Sequence, residues 1–440
     1  MVCAADCLTQ LMSGGNRTPV EPYGAVACLT MLTAKWGISL DSRGMFDTFR
    51  TAALDTDPPY LVTDTEKGAC KQQGAIPGFY TAAMRRNYSA VWQMLILPLV
   101  LAASVVFAAL SSFAKDRSAD FFLNWSAILC AGATLTLPLC WGLPWARMAR
   151  RLNKAGCAVA GWSGAERISR RKKMILTDRD LFPAGSVQLS GMKIYHDNME
   201  WVVSVAAAMA HASGSGLDKV FDDLRRSELA HCPDVTDFRF YQEGGFSAQI
   251  EGETVLFGTD AFLRRMGITP PDDVPLQTGM YLASDGKVLA AFSIRYHANE
   301  TVDYALKIIR RSHVTAILAS RDPNITPALL HRKFQRKIKV EYPTLSARVE
   351  LSEAGQDRDL PRGILLREGL LPYAEAVTAS RRMCRGVRRA TRLALFGSAA
   401  GTLLAFYLVY QGRYNLLTPL TLLLFLILWA VPVLLLMELT

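Results

Sequence analysis

The sequence predicts an integral membrane protein in which two transmembrane helix hairpins flank a cytoplasmic α/β region. Half of the 440 residues are hydrophobic, which is a high fraction for a soluble protein. Four apolar stretches, at about 91–113, 121–145, 393–410 and 416–437, each approach the ~20 residues that a helix needs to cross a bilayer. Short apolar runs alternate with amphipathic stretches between the second and third of these, which favours a sheet flanked by helices.

The positions of the basic residues predict how the four spans are oriented. Basic residues at the hairpin ends that lie opposite the tight loops are Arg85, Arg86, Arg147, Arg150, Arg151, Lys154, Arg381, Arg382, Arg385, Arg388, Arg389 and Arg392. The tight loops themselves carry only Lys115 and Arg117, or Arg413. Because basic residues are enriched on the cytoplasmic side, the middle region and both termini are predicted to face the cytoplasm from a plasma or inner membrane.

The net charge of +10 is explained by the membrane rather than by nucleic acid. Much of the basic excess lies beside the predicted spans, where it can contact anionic lipid head groups. The six arginines between Arg381 and Arg392 lack interleaved aromatic residues, so no nucleic-acid partner is predicted. Membrane lipid is the predicted partner, and a membrane-protein partner is left open.

Apolar periodicity predicts the elements of the soluble parts. Residues 1–88 form an N-terminal cytoplasmic segment with a helix near 24–36 and no assigned chemistry. The middle region has predicted strands at 174–176, 187–194, 238–249, 254–258, 281–283, 288–294 and 314–318, and predicted helices at 200–211, 217–229, 301–311 and 326–334.

Several of these segments resemble heavy-metal-type P-type ATPases in sequence and in order. The run Lys172–Asp180 stands where that family has its phosphorylation strand, and Glu243–Gly258 resembles the glycine-rich hairpins of its nucleotide domain. Val314–Asp322 resembles its T-G-D strand, and Leu371–Arg382 resembles the lead-in to its last membrane hairpin. The resemblance covers about 133–440, which corresponds to the C-terminal half of such a cation-transporting pump.

The resemblance implies a Rossmann-like, haloacid-dehalogenase-type phosphorylation domain with an inserted α+β nucleotide-binding-like domain. The implied units are a first hairpin (89–146), a phosphorylation-like domain (147–195 and 279–390), a nucleotide-binding-like domain (196–278) and a second hairpin (391–440). ATP and Mg²⁺ are the implied cofactors, with Gly244, Gly245 and Gly258 in the nucleotide hairpins. The residues alone support no firm cofactor, since glycines in β-turns usually serve only the turn.

The residues that carry the family's chemistry are the ones that differ. Aligned without gaps, the phosphorylated aspartate falls on Thr177 and the following lysine on Asp178, while the T-G-D triplet falls on Ala319, Ser320 and Arg321. A threonine hydroxyl cannot form the acyl phosphate of the pump cycle. The catalytic positions Thr177, Asp178, Asp180, Arg321 and Asp322 are therefore interpreted as degenerate.

Two loops of the reaction cycle are also missing from the sequence. No G-D-G-x-N-D metal loop occurs between Lys339 and Arg362, and no T-G-E loop occurs in 1–90. The predicted function is that of a catalytically inactive pseudo-pump with a sensing, scaffolding or regulatory role.

A shift of one residue supports a different hypothesis. Asp178-x-Asp180 after a short apolar strand fits the opening motif of haloacid dehalogenase phosphatases, in which the first acid attacks phosphate and the second moves a proton. Asp322 is then the candidate for a later Mg²⁺ ligand. The alternatives are therefore a residual Asp178-dependent phosphatase or ATPase, and the cation-transporting subunit of a larger pump.

Pro138-Leu-Cys140 in the second span resembles a remnant of the family's metal-binding C-P-C motif. A single thiolate is a poor site for a transition metal, so Cys140 is a weak candidate and packing is the favoured role. No metal site is predicted.

Overall fold

A computed structural model of the chain describes residues 21–53, 60–73, 78–133, 135–225, 233–271, 278–336, 338–353 and 362–438. Part of the segment between Lys339 and Arg362, where the sequence predicts no metal loop, lies outside these residues, as do 1–20, 54–59 and 74–77 of the N-terminal segment. The described residues form a helical bundle and two β-sheets.

The bounds of the helices and strands follow in chain order. The helices are α1 (Glu21–Ala52), α2 (Phe79–Ala83), α3 (Tyr88–Phe113), α4 (Phe121–Gly132), α5 (Leu139–Ala155), α6 (Gly161–Ser169), α7 (Asp178–Leu181), α8 (Met199–Ser213), α9 (Asp218–Arg225), α10 (Asp260–Arg265), α11 (Glu300–Arg311), α12 (Pro327–Phe334), α13 (Leu345–Glu353), α14 (Leu370–Tyr410) and α15 (Pro419–Glu438). The strands are β1 (Tyr60–Asp64), β2 (Ala69–Gln73), β3 (Cys157–Val159), β4 (Lys173–Leu176), β5 (Val187–Ile194), β6 (Val235–Tyr241), β7 (Gly245–Ile250), β8 (Glu253–Gly258), β9 (Gly279–Ser284), β10 (Lys287–Tyr296), β11 (Thr315–Leu318), β12 (Val340–Glu341) and β13 (Gly363–Leu365).

Three helices in the described part of the chain, α3, α14 and α15, are long and apolar enough to cross a membrane. They coincide with three of the four stretches predicted as spans. Large apolar side chains such as Leu97, Leu403 and Leu428 are exposed on their outer faces. Such exposure is favourable only where the surroundings are hydrocarbon.

The second predicted span, over 121–145, is a broken helix rather than a continuous one. Helix α4 ends at Gly132 and α5 begins at Leu139. Pro138 is the N-cap residue of α5, and Thr136 O accepts the Leu139 N–H at 2.9 Å. The stretch predicted as the second span therefore consists of two helices in the described chain.

Helix α1 extends the helix predicted at 24–36 and packs along α5. Two of its glycines allow this close contact. A Cβ atom at Gly37 would lie 2.5 Å from Pro138 O, and one at Gly44 would lie 2.4 Å from Trp145 Cδ1. The N-terminal segment is therefore packed against the helices of the first hairpin.

The first sheet has seven strands in the order β12-β11-β4-β2-β1-β13-β3. Strands β12, β11, β4 and β2 are parallel, and β1, β13 and β3 continue the sheet in antiparallel pairs. Strands β1 and β2 belong to the N-terminal segment. That hairpin therefore lies directly beside β4, the strand that precedes Thr177.

The second sheet has six antiparallel strands in the order β5-β10-β9-β8-β7-β6. Helices α8 and α9 pack on it through buried side chains. The ring of Phe221 in α9 lies 5.7 Å from that of Phe257 and 5.1 Å from that of Phe292, between ring centroids. This aromatic cluster forms the core of the second sheet.

Strand pairing groups the chain differently from the predicted domain boundaries. Strands β5, β9 and β10 were assigned to the phosphorylation-like domain, but β10 pairs with β5 on one side and with β9 on the other in the second sheet. The hairpin β1–β2 was assigned to the N-terminal segment, but it pairs in the first sheet. These differences arise because hydrogen bonding joins strands that are far apart in sequence.

Helix α14 runs without interruption for 41 residues from the first sheet into the bundle. Several arginines of this helix contact protein rather than solvent. Arg381 Nη1 donates to His313 O at 2.6 Å, and Arg382 Nη2 donates to Ser312 Oγ at 3.1 Å. Part of the basic run predicted to meet lipid therefore anchors α14 to the end of α11.

Candidate functional site

The carboxyl ends of β4 and β11 bring three of the predicted positions into contact. The strands are parallel, with Leu176 opposite Leu318, so the segments that follow them leave the same edge of the sheet. Asp178 Oδ2 accepts hydrogen bonds from the backbone N–H groups of Arg321 at 3.0 Å and Asp322 at 3.2 Å. This edge is the candidate site.

Thr177 and Asp180 pair with each other at the start of α7. Asp180 Oδ2 accepts hydrogen bonds from the Thr177 N–H and from Thr177 Oγ1, both at 3.0 Å. The threonine hydroxyl is thereby engaged at the helix N-terminus, while the carboxylate of Asp178 faces the loop after β11. Asp178, rather than Thr177, is therefore the side chain that contacts the loop after β11.

Asp178 is a buried acid, with 6% of its surface exposed. Burial raises the pKa of Asp178 above its ordinary value. The Ser320 hydroxyl, the N–H groups of Arg321 and Asp322, and the charge of Arg348 oppose this rise.

Asp322 is a second buried acid at the same edge, with 1% of its surface exposed. Its carboxylate accepts hydrogen bonds from Tyr296 Oη at 2.5 Å and from the Asn324 N–H at 2.9 Å. Burial and then the charge of Asp178 raise the pKa of Asp322 to about 7, and the Tyr296 and Asn324 hydrogen bonds oppose the rise. Two neighbouring buried carboxyls therefore compete for ionisation.

Each acid of the Asp178-x-Asp180 pair has a protein cation beside it. Lys71 of β2 forms an ion pair with Asp180 in which the two side chains are 10% and 0% exposed. Arg348 of α13 lowers the pKa of Asp178 through its charge, and its Nη1 donates to Ser320 O at 3.0 Å. Because these groups are buried, water screens their charges little.

The segment after α8 covers Asp178. A Cβ atom at Gly216 would lie 3.4 Å from Asp178 Cβ, which is ordinary van der Waals contact. Arg321 holds this cover in place, since its Nη1 donates to Ser213 O at 3.4 Å and its Nε donates to Ser352 Oγ at 2.8 Å. The segment after α8 therefore contacts the Asp178 side chain on one side.

The side chains at this edge do not fit a Mg²⁺ ion, which takes about six oxygen ligands at roughly 2.0–2.1 Å. Asp180 uses one oxygen for Thr177 and the other for Lys71. Asp178 Oδ2 is engaged by backbone N–H groups, which leaves Asp178 Oδ1 as the buried oxygen of that side chain that accepts no hydrogen bond. Within the described ranges, no group of three or more His, Cys, Asp or Glu side chains has metal-site spacing.

The glycines predicted to bind nucleotide lie at the end of the second sheet. A Cβ atom at Gly245 would lie 2.1 Å from Phe262 Cδ1, and one at Gly258 would lie 2.4 Å from the same atom. Gly244 has a φ of +93°, which favours glycine. Packing and turn geometry account for these three glycines, and nucleotide binding there stays a prediction.

Two carbonyl groups that flank the gap between α4 and α5 accept hydrogen bonds from side chains of the chain itself. Ser398 Oγ donates to Gly132 O at 2.6 Å, and Gln93 Nε2 donates to Leu137 O at 3.3 Å. Cys140, the weak metal candidate, is fully buried among the apolar side chains of its cluster. Cys140 therefore packs against apolar side chains.

Three residues of the site were not found by sequence reasoning: Lys71, Arg348 and Tyr296. Each lies far along the chain from Asp178 or Asp322 and reaches the site only through strand pairing or helix packing. None carries a local motif that points to this site.

No family model matches the chain, and no curated protein matches it. Solved structures similar to the chain are P-type ATPases. A zinc-transporting PIB-type ATPase aligns over 93% of this chain and 90% of its own, at 12% identity and a TM-score of 0.41. The catalytic domain of the CPx-ATPase CopB-B aligns over 48% of this chain and 78% of its own, at 12% identity and a TM-score of 0.30.

A smaller alignment involves the N-domain of HMA6, a copper-transporting P-type ATPase. It covers 25% of this chain and 100% of that domain, at 18% identity and a TM-score of 0.23. Because the identities and TM-scores are low, no residue role is transferred from these proteins to the chain.

Proposed function

We propose that the chain is a P-type ATPase-like membrane protein that forms no phosphoenzyme and acts as a pseudo-pump in a sensing, scaffolding or regulatory role. One observation carries this proposal. At the end of β4, Asp180 forms a buried ion pair with Lys71, and the charge of Arg348 lowers the pKa of Asp178. A phosphorylation site needs a bound cation that can meet phosphate, and Lys71 occupies the Asp180 oxygen that would help to hold one.

The membrane arrangement of the proposal follows from the helices and their charges. The α4–α5 pair crosses the bilayer as a broken fourth span, between α3 and the two C-terminal spans. The two sheets lie on the cytoplasmic side, where the exposed Arg385, Arg389 and Arg392 meet anionic head groups. The first sheet serves as the phosphorylation-like domain of haloacid dehalogenase type, and the second as the nucleotide-binding-like domain.

The proposal is tested by phosphoenzyme formation. The purified full chain in detergent is incubated with γ-phosphate-labelled ATP and Mg²⁺, quenched in acid and separated on an acidic gel. We expect no acid-stable label on the protein, because Asp178 is buried and Asp180 is paired with Lys71. The proposal fails if the chain is labelled and the label is lost in Asp178→Asn while Thr177→Ala retains it.

A second candidate function is favoured by one specific contact. Asp178 Oδ1 is buried and accepts no hydrogen bond from the described residues, and Ser320 lies beside it. Such an oxygen is positioned to attack phosphate if the cover at Gly216 opens, which would make the chain a residual phosphatase or ATPase. An Asp178-dependent label in the experiment above would favour this second candidate. Co-purification of a stoichiometric membrane subunit would instead support a role in a larger pump.

A further inference from the structure

Lys71 reaches the candidate site because β2 is a neighbour of β4. The two strands are parallel, and Ala69 pairs with Met174. Two residues further along each strand, Lys71 is level with Leu176, the last residue of β4 before Thr177. The N-terminal hairpin therefore delivers a lysine to the carboxyl end of the strand that carries Asp178 and Asp180.

The ammonium group of Lys71 is held from several sides. It forms an ion pair with Asp180 Oδ1, and it lies 5.8 Å from the ring centroid of Tyr60 and 5.8 Å from that of Tyr373. Tyr373 is fully buried, and its Oη donates to Ala69 O at 2.6 Å, which fixes the ring against β2. A carboxylate and two aromatic faces together make a built cation site.

Asp180 has no oxygen left for another cation. Its Oδ2 accepts hydrogen bonds from Thr177, and its Oδ1 pairs with Lys71. A divalent ion at this position would have to displace the ammonium, and two cations cannot share one buried carboxylate oxygen without strong repulsion.

We infer that Lys71 is a tethered cation that takes the place of a divalent metal ion at the end of β4, and that it closes this site to divalent metals. The inference deepens the proposed function, on which it rests for the identity of the site. It also explains why the N-terminal hairpin and Asp178-x-Asp180 lie together: the hairpin supplies the positive charge, so the acids need no free ion. Removal of the lysine charge should then create a metal site where none exists.

The experiment measures Mn²⁺ binding to the full chain in detergent by electron paramagnetic resonance. We expect no Asp180-dependent Mn²⁺ binding in the unchanged chain. Lys71→Ala should bind Mn²⁺ at least about tenfold more tightly, a difference of roughly 1.4 kcal/mol, and Lys71→Ala with Asp180→Asn should lose this binding. Lys173→Ala is the matched control, because Lys173 of β4 pairs with Glu341 at 2.8 Å on the other side of the strand.

Two outcomes overturn the inference. One is Mn²⁺ binding by the unchanged chain that Asp180→Asn removes. The other is a folded Lys71→Ala variant that binds Mn²⁺ no better than Lys173→Ala. If Lys71→Ala does not fold alone, Mn²⁺ should raise its yield of folded protein. Phosphoenzyme labelling of the unchanged chain without Mg²⁺ would contradict the proposed function but not this inference.

Discussion

At the scale of single residues, Asp322 shows how burial changes an ordinary side chain. It is enclosed by Tyr296, Asn324 and Asp178, and its pKa of about 7 exceeds the ordinary value of 3.8. The folded chain therefore binds this proton more tightly than the unfolded chain does. The contribution of this proton to the free energy of unfolding is fully present below pH 3.8 and is lost as the pH rises to about 7.

Replacement of Asp322 by asparagine should remove this pH dependence. The amide has the size of the protonated acid and carries no charge beside Asp178. The quantity to compare is the unfolding temperature of Asp322→Asn minus that of the unchanged chain. We expect this difference to be several degrees larger at about pH 8 than at about pH 5. Thermal unfolding in detergent at both pH values measures it, and a constant difference would show that the Asp322 proton is not linked to folding.

At the scale of secondary-structure elements, close backbone contact joins α1 to the break between α4 and α5. Gly37 allows this contact, because its missing side chain leaves room for Pro138 O. A Cβ atom there would meet a backbone carbonyl, which cannot move without disturbing the break. Gly142 of α5 makes the reciprocal contact, since a Cβ atom there would lie 2.6 Å from Gly37 O.

We expect Gly37→Ala to destabilise the chain by about 1–3 kcal/mol through overpacking. Helix propensity alone acts the other way, because alanine is favoured over glycine inside a helix by roughly 0.5–1 kcal/mol. Gly24→Ala is the matched control in the same helix, since no atom lies within 4 Å of the added Cβ. Equal unfolding temperatures for the two variants in detergent would contradict the contact.

At the scale of the whole molecule, α14 is the rigid connection between the first sheet and the spans. Its early turns contact α5 through Arg151 and Glu375, whose Nη2 and Oε1 atoms are 2.8 Å apart. The Glu375 side chain is only 7% exposed, and its Oε2 is buried without a hydrogen bond within the described part of the chain. Arg151 therefore compensates a buried charge where α5 meets α14.

Removal of that compensation should weaken the whole molecule. We expect Arg151→Met to destabilise the chain by about 1–3 kcal/mol, because Glu375 is left buried and unpaired. Adding Glu375→Gln should restore most of the loss, while the exposed neighbour Arg150→Met should have little effect. Unfolding in detergent measures these effects. The explanation is excluded if the double variant is as unstable as Arg151→Met alone.

Local sequence patterns were sufficient for most elements of the fold. Apolar stretches of about 20 residues predicted α3, α14 and α15, since the thickness of a bilayer sets the length of a span. Short apolar runs predicted β4 and β11, and the polar residues after them predicted Asp178 and Asp322 as site positions. These features depend on neighbours in sequence, and so they can be predicted from it.

The sequence by itself determined that this chain enters a membrane and that acids follow its central strands. Only the tertiary structure decided which cations meet those acids, that α4 and α5 are separate helices, and that the 60–73 hairpin joins the first sheet. The physical reason is that hydrophobic length and strand ends are local properties of a chain. Strand partners and buried charge pairs, by contrast, depend on contacts between residues such as Lys71 and Asp180 that lie far apart in sequence.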